Sequence, residues 1–255
     1  MYQPRIYREE MNRERFRFFH CSFFETDLLV GVPPDRYQSS MEHRTLEEIK
    51  RIRGVIEQFS LRYPRFTTSL SPIHLSEFAG SEAGEADISS EISTMLQCGI
   101  HSDTGPMSSV AGLFAEKTGE MLLSSYDLPE IIIENGGDLY MVNNSESTVV
   151  IQAGDSPLSG KLALHIPSGT WGICTSSGTV GHSFSYGNAD AFTVVAERAP
   201  LADAWATALA NRIQDSGDIE KVLAISEGID EILGCVAVIR DRVGIRGQFE
   251  LKPLN

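Results

Sequence analysis

The chain has 255 residues, a formal net charge of −14, and hydrophobic and charged fractions of 42% and 22%. That length and balance suit one large globular domain or two small ones with an ample core. The acidic excess excludes a general nucleic-acid surface, which needs clustered Lys and Arg, but leaves room for an anion held by backbone donors and a cation.

Residues 15–32 alternate and then run apolar, predicting one long strand or a hairpin that Pro33-Pro34 ends. Residues 45–62 carry Leu46, Ile49, Ile52, Ile56 and Phe59 near helical spacing, with Thr45 as N-cap and Glu48 completing a capping box. Residues 66–84 have a weak pattern and predict a connection with one short strand. Helices are expected over 87–97 and 107–123, and strands over 129–134, 139–142, 148–152, 161–165, 171–174 and 191–196. Pro200 suits the first turn of a helix that follows. A helix over 219–225, a strand over 235–239 and an extended segment over 248–251 complete the chain. Strands and helices come in separate clusters, which favours an α+β fold over a doubly wound one.

Cys21, Cys98, Cys174 and Cys235 form no CxxC pair, which predicts reduced, buried thiols. No apolar run reaches the length of a membrane span and the first residues lack a signal h-region, so a cytoplasmic protein is expected.

Three Gly-rich breaks lie against strand ends or helix starts. Asp103-Thr104-Gly105-Pro106-Met107-Ser108-Ser109 precedes a helix, whose first N–H groups and dipole suit an anion; an N-capped turn explains the same residues. Asn135-Gly136-Gly137-Asp138 allows positive φ and close approach of a ligand, or simply a hairpin turn. Thr175-Ser176-Ser177-Gly178-Thr179 gathers hydroxyls and N–H groups able to hold phosphate oxygens, or forms a plain connection. Downstream, Asp203 and Thr207 stand four residues apart on one face of an alanine-rich helix, a pair suited to a hard cation or to an ordinary polar face. His182 could serve as a general base or bond a phosphate, or be incidental. There is no Walker A, G-x-G-x-x-G, HExxH or G-x-S-x-G pattern.

The order of these pieces resembles the superfamily of ApbE-type FAD:protein FMN transferases, in particular a shorter branch labelled ApbE-like. Residues 103–112 stand where the family has a D-x-G-G-x-A-K-G-type turn into a helix. Glu134-Asn135-Gly136-Gly137-Asp138-Leu139 matches its N-x-G-G-D-I break. Thr175-Ser176-Ser177-Gly178, residues 193–196 and residues 202–209 match its T-S-G, strand and A-D-A-x-x-T-A-L run. The likeness covers roughly residues 85–215.

The resemblance implies an ApbE-like, T-fold-like arrangement of mixed or antiparallel sheets with packed helices, in one domain with a divergent N-terminal part (1–84) and a site-bearing part (85–255). It implies Mg2+ held by Asp203, Thr207 and the Ser108 carbonyl. FAD would be bordered by Thr104, Gly105, Ser108, Ser109, Asn135, Gly136, Gly137, Asp138, Thr175, Ser176, Ser177 and Gly178, and an acceptor protein and a homodimer are further implications. Two departures stand out: Ser109 replaces the family's Lys, and residues 181–188 replace its H-x-I-D-P-x-T-G segment. The chain therefore reads as a flavin transferase or diphosphate-cleaving enzyme, a non-catalytic nucleotide-binding module, or an interaction protein with a degenerate site.

Overall fold

The computed structural model describes residues 8, 11, 14–78, 88–178 and 187–254. Its strands are β1 (Arg17–Phe23), β2 (Thr26–Val32), β3 (Ile131–Asn135), β4 (Asp138–Asn143), β5 (Ser147–Val150), β6 (Leu162–Ile166), β7 (Gly169–Ser176), β8 (Ala191–Ala196), β9 (Gly234–Ile239), β10 (Arg242–Gly247) and β11 (Glu250–Pro253). The helices are α1 (Ser40–Arg62), the single turn α2 (Arg65–Thr68), α3 (Ser90–Ser102), α4 (Val110–Tyr126), α5 (Ala199–Ala210) and α6 (Ile219–Ser226).

Eight strands form one sheet in the order β1-β2-β3-β4-β7-β8-β9-β10, and β11-β6-β5 form a second. Every pairing among the described residues is antiparallel. The fold is thus mixed α and β, with antiparallel sheets and packed helices.

Alternation along the strands assigns each residue to one of two cores. Phe192, Val194 and Ala196 join the core under the helices, with Cys235, Ala237 and Ile239 beside them. Ala191, Val195, Val236 and Val238 face the smaller sheet, with Phe249, Leu164 and Ile166. Burial on both faces explains why β8 (AFTVVA) and β9 (GCVAVI) read as unbroken apolar runs. Each fully buried Val or Phe in them contributes about 1.5–3 kcal/mol.

Several elements differ from the sequence expectation. Helix α1 begins at Ser40, and Thr45 is not its N-cap. The extra turn is held by burial of Met41, which leaves Thr45 inside the helix with a buried hydroxyl that has no hydrogen-bond partner. The short strand expected in 66–84 is replaced, among the described residues, by α2 and a 3-10 turn (Leu75–Phe78). There Phe59, Tyr63, Phe66 and Phe78 pack ring on ring, at centroid distances of 4.6–5.3 Å. Helix α3 starts with Ser89 capping the Ile92 N–H at 3.3 Å and ends where Asp103 turns left-handed, at φ 57°. No helix among the described residues is long and apolar enough to cross a membrane.

Two glycines set where α5 begins. A Cβ on Gly112 of α4 would lie 2.4 Å from the Ala199 carbonyl oxygen, and one on Gly172 of β7 would lie 2.4 Å from the Ala199 Cα. Only bare backbone lets α4, β7 and the start of α5 meet. Gly→Ala inside a helix ordinarily stabilises by up to about 1 kcal/mol. Gly112→Ala is expected to do the reverse and cost about 1–3 kcal/mol through overpacking. Urea denaturation checks this, and an unchanged or raised midpoint would contradict the close contact.

Candidate functional site

Helices α4 and α5 pack against each other and cap each other with carboxylates. Asp203, on the second turn of α5, accepts the N–H of Gly112 at 2.9 Å through Oδ2, and the N–H of Ala111 also favours its charge. Those are first-turn donors of α4, which lack partners within their own helix. In return Glu116 of α4 accepts the Ala199 N–H at 2.8 Å, at the start of α5, and pairs with Arg198. Glu116 is buried, whereas Arg198 is half-exposed. Each acid thus sits at the positive end of the other's helix.

The glycine break between β3 and β4 is a two-residue hairpin. Asn135 pairs with Asp138, and Gly136 and Gly137 take φ values of 70° and 107°, as a type I′ turn requires. The Asn135 amide donates to the Ala111 carbonyl at 3.1 Å, bringing the turn against the start of α4. The backbone of the turn also approaches β7, since a Cβ on Gly137 would lie 3.8 Å from the Thr175 carbonyl oxygen.

Asp138, buried like Asp203, lies close enough that its charge acts on the Asp203 carboxyl. Burial raises the Asp203 pKa well above the ordinary aspartate value of 3.8, and repulsion from Asp138 adds to this. The N–H groups of Gly112 and Ala111 pull the other way. Cys174 is buried near both acids, with Sγ 3.3 Å from the Ala199 carbonyl. Burial pushes that thiol far up, so it stays protonated.

The other expected site residues divide into two groups. In the first motif, Thr104 Oγ1 lies 2.7 Å from Ser102 Oγ and 2.6 Å from Ser108 Oγ. Ser109 is fully buried, and its hydroxyl donates to the Pro106 carbonyl at 2.9 Å. The 3-10 turn that carries Ser108 and Ser109 (Pro106–Ser109) packs against α5. In the third motif, Thr175 and Ser176 belong to β7 and not to a loop, with Thr175 Oγ1 2.8 Å from Thr193 Oγ1. That cross-strand contact explains why this hydroxyl-rich run continues the sheet. Beyond it, the Gly178 N–H donates to the Ala189 carbonyl at 2.8 Å. Thr207 is half-buried one turn past Asp203. Thr179 and His182 lie outside the described residues.

The structure therefore gathers Asp138, Asn135, Gly137, Asp203, the start of α4 and the end of β7, and the hydroxyls of Thr104, Ser109 and Thr175 are engaged within the fold. Sequence reasoning missed Glu116, Arg198 and Cys174 as neighbours of the site. The one signal for Glu116 was an acid at a buried position of an otherwise apolar helix face.

Among the described residues no cluster of three or more His, Cys, Asp or Glu could by itself hold a metal. The donor set nevertheless suits a hard cation. Two buried carboxylates lie near enough for one charge to act on the other, and the Gly112 N–H occupies one oxygen of Asp203. Magnesium characteristically takes one or two carboxylates and completes its shell with water and ligand phosphates.

The family model described as AbpE bacteria matches residues 8–246. The chain belongs to that family. Its similar relatives include the UPF0280 protein of Methanococcus aeolicus, 36% identical over 234 residues and 89% of each chain. Another is the UPF0280 protein of Methanocaldococcus jannaschii, 34% identical over 232 residues and 88% of each chain. Among solved structures, the ApbE protein of Thermotoga maritima matches with a TM-score of 0.58 at 14% identity, covering 91% of this chain and 97% of that one. The flavinyl transferase ApbE of Pseudomonas stutzeri, in its apo form, matches at 0.54 and 16%, covering 93% and 94%. The family member described here thus has an ApbE-like fold.

The raised Asp203 pKa has a testable sign. Near pH 4 the carboxyl is largely protonated in the folded chain and has begun to ionise only in the unfolded one, so it costs little stability. As pH rises further, the unfolded chain releases its proton while the folded site retains it, and stability falls until the folded carboxyl also ionises. Asp203→Asn keeps an acceptor for the Gly112 N–H but cannot ionise. Without added metal, that variant is expected to match the native chain near pH 4 and exceed its urea midpoint at pH 8. A variant less stable at pH 8 than at pH 4, relative to native, would contradict the shift.

Proposed function

We propose that the chain binds FAD or a related diphosphate nucleotide together with Mg2+ where α4, α5 and the β3–β4 turn meet. The observation that carries this reading is the buried Asp138–Asp203 pair at the start of α4. Two acids placed out of water beside each other are costly unless a proton or a cation lies with them. Asp203, Thr207 and the Ser108 carbonyl would hold the ion, and Asp138 would face it. A diphosphate supplies the further oxygens that magnesium requires.

The nucleotide would be bordered by two stretches of close-lying backbone. Gly136 and Gly137 carry no side chain to keep a ligand away, and Thr175 and Ser176 end β7 near Gly137, with Ser177 and Gly178 following. Magnesium, when bound, would neutralise the diphosphate and the charge that develops as a phosphoryl bond breaks. The Pseudomonas stutzeri neighbour is named a flavinyl transferase. Transfer here would pass FMN from FAD to an acceptor hydroxyl, with the P–O bond to AMP broken and AMP released.

One observation favours a second reading, a nucleotide-binding protein without transfer. Ser109 stands where the family motif has Lys, and its hydroxyl is bonded inward to Pro106. That position therefore offers no side-chain cation to a phosphate.

Titration of the purified chain with FAD, with and without Mg2+, tests the site. Binding that needs Mg2+ in the native chain and weakens at least tenfold in Asp203→Ala is expected, in line with the loss of a metal-linked group. No binding in either condition overturns the reading. Release of AMP on incubation separates the transferase from the binder.

A further inference from the structure

The glycine turn that borders the site is held from both faces of the sheet, and only one of those holds belongs to the pocket. Asn135 faces the helices and grips the start of α4, as described above. Its neighbour Glu134, on the opposite face by strand alternation, accepts the N–H of Gly137 at 2.8 Å through Oε1. Glu134 is 1% exposed, so it is an acid buried behind the turn. Its Oε2 accepts from Arg8 Nε at 2.5 Å. Arg8 also donates to Asp27 of β2, to Oδ1 at 3.1 Å and to the backbone carbonyl at 2.8 Å.

We propose that Glu134 is a positioning residue: it clamps the Gly137 N–H and so fixes the turn that leads into Asp138, and Arg8 neutralises the clamp. This rests on the ligand reading above and extends it to residues outside the pocket. A type I′ turn with two glycines holds its hairpin without help, because the Asn135–Asp138 pairing needs no third partner. The same two glycines leave the turn the most pliable part of the site wall. A charged acceptor on the central N–H removes that freedom, and burial of the acid makes the bond stronger than it would be in water. Arg8 matters because an ionised Glu134 beside a site for a diphosphate would repel it. The pair places that charge against a guanidinium on the far face of the sheet.

The clamp and the hairpin are separable by experiment. FAD affinity in the presence of Mg2+ would be measured for the full-length native chain, Glu134→Ala, Glu134→Gln, Arg8→Ala and Arg8→Ala/Glu134→Gln. Amide exchange of Gly137 and Asp138 would be followed in the same proteins without ligand. Glu134→Ala is expected to speed Gly137 exchange and weaken FAD roughly tenfold or more, as loss of a group that orients site residues does. Glu134→Gln keeps the acceptor oxygen and is expected to retain slow exchange and near-native affinity. Arg8→Ala should weaken FAD in the native background but not in the Glu134→Gln background, where residue 134 carries no charge and Asp27 keeps His20 as a partner. This comparison still decides the case if Glu134→Ala does not fold. Unchanged affinity and exchange in Glu134→Ala, equal losses in Glu134→Ala and Glu134→Gln, or an Arg8→Ala effect that persists in the double variant would each overturn the proposal. A native chain that binds no FAD overturns the ligand reading and the ligand half of this one, and Gly137 exchange then decides whether the clamp exists.

Discussion

The carboxylate of Asp203, buried in α5 and bonded to the Gly112 N–H in the first turn of α4, is the interaction on which the site depends. It does two things that oppose each other energetically. It satisfies backbone donors that would otherwise be stranded in the interior, where an unpaired polar group costs about 1–3 kcal/mol. It also places an acid near Asp138, where burial and repulsion favour the protonated form. The reciprocal bond from Glu116 to the start of α5 fixes the helix pair, so Asp203 has little room to move away from Asp138. A fold that merely needed to cap α4 could have used a serine or asparagine there. An acid with a second buried acid nearby suits a cap that is also a ligand.

Much of this was legible in the sequence, and the reasons are local. The Asn-Gly-Gly-Asp run reads as a tight turn because only glycine adopts consecutive positive φ without strain, and the same run borders the site. Asp203 and Thr207 read as a pair because helical spacing puts them on one face. Strands β8 and β9 read as buried because both of their faces are covered. The hydroxyls of Thr175 and Ser176 misled, because their composition suggests a loop while Thr193 across the sheet makes them a strand. Thr45 misled too, because its capping-box pattern lost to the burial of Met41 one turn earlier. Glu116, Glu134 and Arg8 were not legible as site neighbours, since the partners that bring them there stand 83 and 126 positions away and leave no periodic signal.

The ApbE-like fold and the motif order agree with each other, yet they bear on different questions. The fold explains how three separated Gly-rich segments reach one place: β3–β4 pairs with β7, and α4 and α5 pack over that junction. The reaction depends on groups that the fold does not guarantee. At Ser109, a position that could project a cation instead bonds its hydroxyl inward. In the reading proposed above, Asp138 and Asp203 would serve the ion, and the phosphates would rely on backbone donors and on the ion itself. A pocket that binds a nucleotide through Mg2+ is consistent with that division whether or not transfer follows.

The central claim is that a cation with its nucleotide takes the place of the proton that burial favours on Asp203. Calorimetric titration of Mg2+ and FAD into the full chain near neutral pH, repeated in buffers of different ionisation enthalpy, measures that exchange directly. Net proton release on binding in the native chain, absent in Asp203→Asn, is the expected result. Binding with no proton released in the native chain, or with the same release in both, would contradict it.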